Sequence, residues 1–255
     1  MDRLARTVRE QVALGRLLPL GGPEDTAWIT ERAAVAALRA VCAALPGVRL
    51  GEVDVAALPD DAGVPEVPAA APLGALPHQP LRIEARFEAA VDEPLPVAAE
   101  RLRFALFAAA GDDGLGLPVH VVDLAVTGLL DGPVTPSAAV GGGSARKELE
   151  GTEGDDEAEA GQAIVQGTAE AAEAAAKAVP GVVRLTRRLA GHGGLRIRDT
   201  RPPVPPARHV QVQIATARSF RPLAVARETG AAVTTATTPG APGPVTTAVI
   251  VTDIA

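Results

Sequence analysis

Four histidines, one cysteine and scattered carboxylates are the side chains of this 255-residue chain best suited to chemistry. An imidazole moves protons near neutral pH or binds a metal, a thiolate attacks electrophiles, and paired carboxylates do acid–base work. Their spacing supports none of these roles. His78, His120, His192 and His209 are far apart, mostly in or beside Pro- or Gly-rich loops, and with one cysteine they form no metal-binding set. Cys42 sits in an apolar helical run and reads as a buried, inert thiol. Asp112-Asp113 reads as a loop pair without partners. No Walker loop, no dinucleotide fingerprint after a strand and no nucleophile elbow is present. Gly142-Gly143-Ser144 falls in a flexible stretch that cannot hold a nucleophile still. Gly191-His192-Gly193-Gly194 has the look of a phosphate nest, but no helix start follows it, so a plain turn is expected. No catalytic, cofactor-binding or metal-binding residue is assigned, no cofactor is expected, and the chain reads as a non-enzyme. The alternative is a small-ligand-binding or enzymatic protein with a polar site between two repeated modules, lined by Arg208, His209 or Glu228.

Composition narrows the classes further. Hydrophobic residues make up 47% of the chain and aromatic residues 2%, with Trp28 the one tryptophan and no tyrosine. Cores must therefore be built from Ala, Val, Leu and Ile, which bury less area per residue than aromatic side chains. Net charge is −7, and residues 131–160, with eight acidic and two basic side chains, carry −6 of it. The remainder is close to neutral, which argues against a nucleic-acid surface. A lone cysteine makes no internal disulfide and fits a reducing cytoplasm. No secretory signal and no run of about 18 apolar residues is found, so a membrane is met only peripherally or through a partner.

The elements follow from periodicity. Leu4, Val8 and Val12 suggest a short amphipathic helix over residues 2–14, for packing on the first module or for lying on an anionic membrane. Arg16 to Pro23 reads as a loop. Thr30 is a plausible N-cap for a helix running to Leu45, with Val35, Leu38, Val41, Cys42 and Leu45 on its buried face. Pro46-Gly47 stops it. Val48 to Val55 is extended, and residues 56–80 form a Pro- and Ala-rich surface loop. Leu81 to Val91 alternates apolar and charged residues as a half-buried strand does. A helix opens at the Pro94-Leu95-Pro96-Val97 stretch and runs to about Ala110, with Leu102, Leu106 and Phe104 as core candidates. Val119 to Leu130 is a strand with Val122, Leu124 and Val126 on one face. Residues 132–160 read as an acidic flexible linker; its acidic run either docks a basic partner or simply solvates the chain.

The second half repeats this order. A helix is expected from about Gly161 to Val179, stopped by Pro180-Gly181, with Ile164, Val165, Ala169, Ala172 and Ala176 on its apolar side. Extended pieces follow at Val182 to Leu189 and Leu195 to Ile197, then a strand at Val210 to Ile214, a helix from Pro222 and a closing strand from Val245 to Ile254. Three anchors recur in order: Pro46-Gly47-Val48 with Pro180-Gly181-Val182, Pro94-Leu95 with Pro222-Leu223, and Val126-Thr127 with Val251-Thr252. Their offsets are 134, 128 and 125, and an offset of 129 keeps the central strands in phase, which makes the following turn one residue shorter in the second copy. The expected architecture is α+β: two related helix–strand–helix–strand modules, each a small sheet with helices on one face. The expected divisions are an N-terminal helix and loop at 1–27, a first module at 28–131, the linker at 132–160 and a second module at 161–255.

At these anchors the chain resembles the alkaline shock protein family, cytoplasmic envelope-stress proteins of Gram-positive bacteria. In that family a helix of the form Ile-x-x-x-Ala-x-x-Ala runs into a Pro-Gly-Val stop, and a closing strand has the form Val-x-Val-x-Asp-Ile. Here the first pattern corresponds to Ile29 to Val48 and Ile164 to Val182, and the second to Val249-Ile250-Val251-Thr252-Asp253-Ile254. The family's tyrosine-containing strand is missing, and the duplication and linker look like those of a divergent, actinobacterial-type member. The resemblance implies a non-enzymatic cytoplasmic scaffold linked to the cell envelope or stress response. It further implies self-association and protein partners, with a small membrane-anchored protein or other family members as candidates and no nucleic acid.

Overall fold

The protein's structure, a computed structural model, describes residues 15–58, 71–130, 159–188 and 194–255. The predicted N-terminal helix and most of the predicted acidic linker lie outside these residues. In chain order the elements are β1 (Leu17–Leu20), β2 (Ala27–Thr30), α1 (Glu31–Cys42), β3 (Val48–Ala57), β4 (Leu81–Ala90), α2 (Leu95–Ala110) and β5 (Val119–Leu130). They continue with α3 (Glu159–Ala178), β6 (Val182–Leu185), β7 (Leu195–Thr200), β8 (Ala207–Thr216), α4 (Pro222–Thr237) and β9 (Val245–Ile254). The described residues thus form an α+β structure with two sheets, the expected fold class.

Local chemistry explains the boundaries. The hydroxyl of Thr30 accepts from the Ala33 amide at 3.3 Å and starts α1. Gly47 and Gly181, with φ of 68° and 91°, take the left-handed conformation that ends a helix without a Cβ clash. Both Pro-Gly stops therefore do the same backbone work.

One strand arrangement occurs in both halves. In the first, β3 runs antiparallel to β4, and β4 runs parallel to β5 through the crossover helix α2. In the second, β6 and β7 lie along one edge of β8, both antiparallel to it, and β8 runs parallel to β9 through α4. The pairing skips one residue at the same place in each half. Phe87↔Val126 is followed by Glu88↔Gly128, and Ile214↔Val251 by Ala215↔Asp253. The skipped residues are Thr127 and Thr252, whose hydroxyls donate to the carbonyls of Phe87 at 3.2 Å and Ile214 at 3.3 Å. The repeated Val-Thr pair is thus a β-bulge closed by a threonine.

This geometry corrects the expected offset. Phe87 and Ile214 are 127 positions apart. The buried Ala98, Leu102, Leu106 and Ala110 of α2 stand in the same relation to Val225, Thr229, Val233 and Thr237 of α4. The turn between strand and helix is therefore equal in length in the two halves. Strand alternation repeats every two residues and cannot separate 127 from 129. The proline anchor is shifted by one because α2 follows a proline at its N-cap, whereas α4 has proline as its first residue.

The largest departure from the sequence reading lies before α1. Leu17–Leu20, expected in a loop, is β1, the edge strand of a hairpin with β2. Pro19 is tolerated because an edge strand has one unpaired side. β2 then runs parallel to β9, with Ala27, Trp28 and Ile29 opposite Val249, Ile250 and Val251. The second sheet accordingly has the order β1-β2-β9-β8-β6, with β7 also on β8, while the first sheet is only β3-β4-β5. Two assignments of side chains to the core also fail. Phe104 is 76% exposed on α2, and Val41 is 47% exposed on α1. The α1 face that turns inward carries Ala33, Ala34, Leu38 and Cys42 instead. In α3, Ala172 and Ala176 are buried and Ala169 is half-buried.

One apolar core unites the halves, with Leu38, Phe87 and Leu102 in the same cluster as Val212, Val233 and Val249. A smaller cluster, Leu17, Trp28, Ala248 and Ile250, sits under Ala71 and Ala75 on the other face of the second sheet. Among the described residues no helix is long and apolar enough to cross a membrane.

The hairpin is also tied to α4. Both oxygens of buried Asp25 accept from Arg227, at 2.7 and 2.8 Å, and one accepts from the Gly22 amide at 2.9 Å. The Arg227 bond is the main reason the Asp25 carboxyl is held below its ordinary range. Arg208 does the same for Asp199. A carboxyl depressed in the folded state contributes stability above its unfolded pKa, near about 4, and loses it as pH falls through the folded value. We expect the urea midpoint to drop as pH is lowered from about 5 to about 3, and Asp25→Asn to flatten that drop while lowering the neutral-pH midpoint. Equal pH slopes for the two proteins would rule this contribution out.

Candidate functional site

The side chains proposed from sequence as a polar site do not meet in one. Arg208, 2% exposed, is consumed by structure. It donates to both oxygens of Asp199 at 2.7 and 2.8 Å and to the Thr237 carbonyl at 2.8 Å, closing β7 and the end of α4 onto β8. The Asp199 bonds hold its guanidinium pKa above the ordinary value. His209, next in the strand and so on the opposite face, shares a 2.7 Å hydrogen bond with Thr246 on β9. Glu228 is exposed on α4. None of the three lines the cleft between the halves.

The histidines stay apart. His78 is buried against Trp28, ring centroids 5.4 Å apart, and burial pushes its imidazole below the usual range. His120 is exposed on β5, and His192 lies outside the described residues. Among the described residues no group of three His, Cys, Asp or Glu side chains is placed to hold a metal. Burial pushes the Cys42 thiol up to about 11, so it stays protonated near neutral pH. The Gly191–Gly193 stretch is outside the described residues, and Gly194 leads directly into β7. The charged face of the first sheet bears Glu52, Asp54, Glu84 and Asp123 around Arg86. These carboxylates are paired with arginines: Arg86–Glu52 at 3.0 Å, Arg82–Glu84 at 3.2 Å, Arg82–Asp123 at 3.3 Å and Arg16–Asp54 at 3.0 Å. This is a solvated lattice of ion pairs rather than a metal centre.

A cleft of about 430 Å³ does lie between the halves. One wall is the alanine face of α1, with Ala36, Ala37, Ala40 and Val41. The opposite wall is the loop from β8 into α4, residues 218–222, together with Asp253 and Ile254 at the end of β9. The turn after α2, with Asp113 and Leu115, closes one side. The cleft thus stands beyond the carboxyl ends of two parallel strands and at the start of their crossover helix, the usual ligand position in such units. Phe220 reaches it because Gly181 has no side chain: a Cβ there would stand 2.7 Å from the ring.

Charge at the mouth is partly spent. Asp113, expected to lack a partner, meets Arg221 at 2.9 Å, and Asp253 meets Arg184 at 2.9 Å. The Arg218 backbone amide donates to a main-chain oxygen of Ala255 at 3.0 Å. Its exposed guanidinium has no ion-pair partner among the described residues. Residues from four separated stretches build this cleft, and alanines supply much of its wall. Sequence reasoning missed it because alanine at helical spacing reads as core, and only the packing of the halves shows which alanines stay uncovered.

A second feature stands at the far side of the first sheet. β5 pairs with β4 along one edge, and no described residue pairs with the other. By the bulge correspondence, Leu124, Ala125 and Val126 of β5 match Val249, Ile250 and Val251 of β9, the residues that β2 covers. Where β9 is buried over Thr247–Thr252, β5 leaves Val126 45% and Leu129 58% exposed.

Compared with protein-family models, with curated proteins and with solved structures, the chain matches none.

Proposed function

We propose that this protein is a non-enzymatic cytoplasmic interaction protein that self-associates by strand addition at the free edge of β5. It serves cell-envelope homeostasis or the stress response, and a membrane-anchored partner recruits it to the membrane. The observation that carries the reading is the unequal treatment of two equivalent strands. The β9 edge is filled by β2, whereas the matching edge of β5 has no such cover among the described residues and presents Val126 and Leu129. A free edge with apolar flanks is a template for another strand. Antiparallel pairing of β5 with β5 of a second copy makes one closed contact and joins two three-stranded sheets. The resemblance at the Pro-Gly-Val stops and the closing strand supports the envelope setting. The ion-paired state of the carboxylates and the structural engagement of Arg208 and His209 weigh against an enzymatic site there.

The first test is sedimentation velocity between about 1 and 100 µM, a range in which a micromolar association shifts visibly. The wild-type protein is expected to associate. A Val126→Lys, Leu129→Lys double variant is expected to weaken association about tenfold or more, because it brings lysines together across the new strand pair. Its thermal unfolding should barely change, since both positions are exposed. Cross-linking in native cells followed by partner identification tests the membrane link. A strictly monomeric protein that captures no membrane protein would refute the proposal.

A further inference from the structure

The cleft between the halves and the edge of β5 are separate places, and the cleft has its own chemistry. We propose that it binds a small amphipathic monoanion, an aliphatic carboxylate whose chain lies against α1 and whose head meets Arg218. Its volume of about 430 Å³ falls within the range for small-molecule sites and suits a ligand of roughly a dozen non-hydrogen atoms. The α1 wall offers only methyl groups at Ala36, Ala37 and Ala40, and Phe220 and Ile254 face it from the second half. An aliphatic chain is the body that such walls desolvate without leaving a polar group unpaired.

The head group follows from the charges. Of the four charged side chains at the mouth, Asp113 and Arg221 bind each other, and Asp253 is held by Arg184. Arg218 alone has no carboxylate partner among the described residues, which leaves one cation for one anion. Its guanidinium fork suits a carboxylate in particular. The Ser219 hydroxyl lies beside it in the lining. α4 opens at the cleft through Pro222 with no side-chain cap, so the positive end of a 16-residue helix also favours an anion there. A cation would be repelled by these features, and a neutral polar molecule would gain weaker hydrogen bonds and no charge attraction.

Isothermal titration of the full chain with sodium decanoate, with decanol as the neutral comparison, tests the assignment. Decanoate is expected to bind with one site per chain and more tightly than decanol. Arg218→Ala is expected to weaken decanoate about tenfold and leave decanol nearly unchanged. Ala36→Phe, at an exposed position where folding tolerates the larger ring, is expected to fill the cleft and remove binding of both. Circular dichroism confirms that each variant is folded. The proposal fails if wild type shows no binding up to about 1 mM. It fails equally if Arg218→Ala binds decanoate as well as wild type does, or if Ala36→Phe binds unchanged. Because the β5 variants leave the cleft intact, loss of self-association and loss of ligand binding are read independently.

Discussion

Trp28→Ala lowers the stability of the chain by about 3–5 kcal/mol, the cost of emptying a fully buried aromatic position. Trp28 has no exposed surface, and its indole N–H donates to the Leu76 carbonyl at 3.1 Å. The ring packs with Leu17, Ala248 and Ile250 on the face of the second sheet away from the main core. Its removal leaves a cavity, an unpaired carbonyl and a bare His78 ring together. The cluster is small and the chain has few other large side chains, so neighbouring alanines cannot collapse into the gap. Urea unfolding followed by far-ultraviolet circular dichroism reads the loss, since the variant has neither tryptophan nor tyrosine. Trp28→Phe should recover most of it, short of the lost hydrogen bond. A loss below about 1 kcal/mol for Trp28→Ala would show that the hairpin contributes little to the fold.

Arg208→Met has the second largest effect, a loss of about 3 kcal/mol, because one partner of a mostly buried pair is removed while the other stays. Methionine keeps the length and apolar stem of arginine. It gives nothing back to Asp199, or to the Thr237 and Gly240 carbonyls that the guanidinium also serves. The pairing with Asp199→Asn is informative. If the two residues act as a unit, the double variant costs much less than the sum of the single ones. The pH dependence gives a second check: Asp199, freed from Arg208, returns toward the ordinary carboxylate range, and the acid loss of stability becomes shallower. Additive losses and an unchanged pH profile would mean that Arg208 acts through packing alone.

These two residues show what the sequence could and could not convey. Arg208 stands in an alternating strand, and alternation reads correctly which positions face inward. It carries no sign that an inward arginine has been neutralised by an aspartate nine residues earlier, in another strand. The element order of both halves, the helix stops at Gly47 and Gly181 and the closing strands were all legible, since each is a local matter of φ, period or a missing donor. The β1–β2 hairpin was not. A stretch of Leu-Leu-Pro-Leu has no alternation, and the strand that joins β2 to the sheet lies more than two hundred positions away. The cleft was illegible for a similar reason: Val41 and the alanines of α1 have the period of a core face, and only long-range packing leaves them uncovered. Phe104 is the converse, a large apolar residue at helical spacing that no element of the described chain covers.

The crossed placement of the hairpin bears on how the chain comes together. By position, residues 17–30 belong with the first half, but by hydrogen bonding they belong with the strand at 245–254. During synthesis the hairpin emerges early and its partner more than two hundred residues later, so Leu18, Leu20, Trp28 and Ile29 wait uncovered until almost all of the described chain exists. A long sequence separation of this kind slows the final step of folding. The two halves are repeats in outline, but they are not interchangeable parts. A break placed between them would leave the first piece carrying apolar strands with no sheet to join, and the second with an unfilled edge on β9.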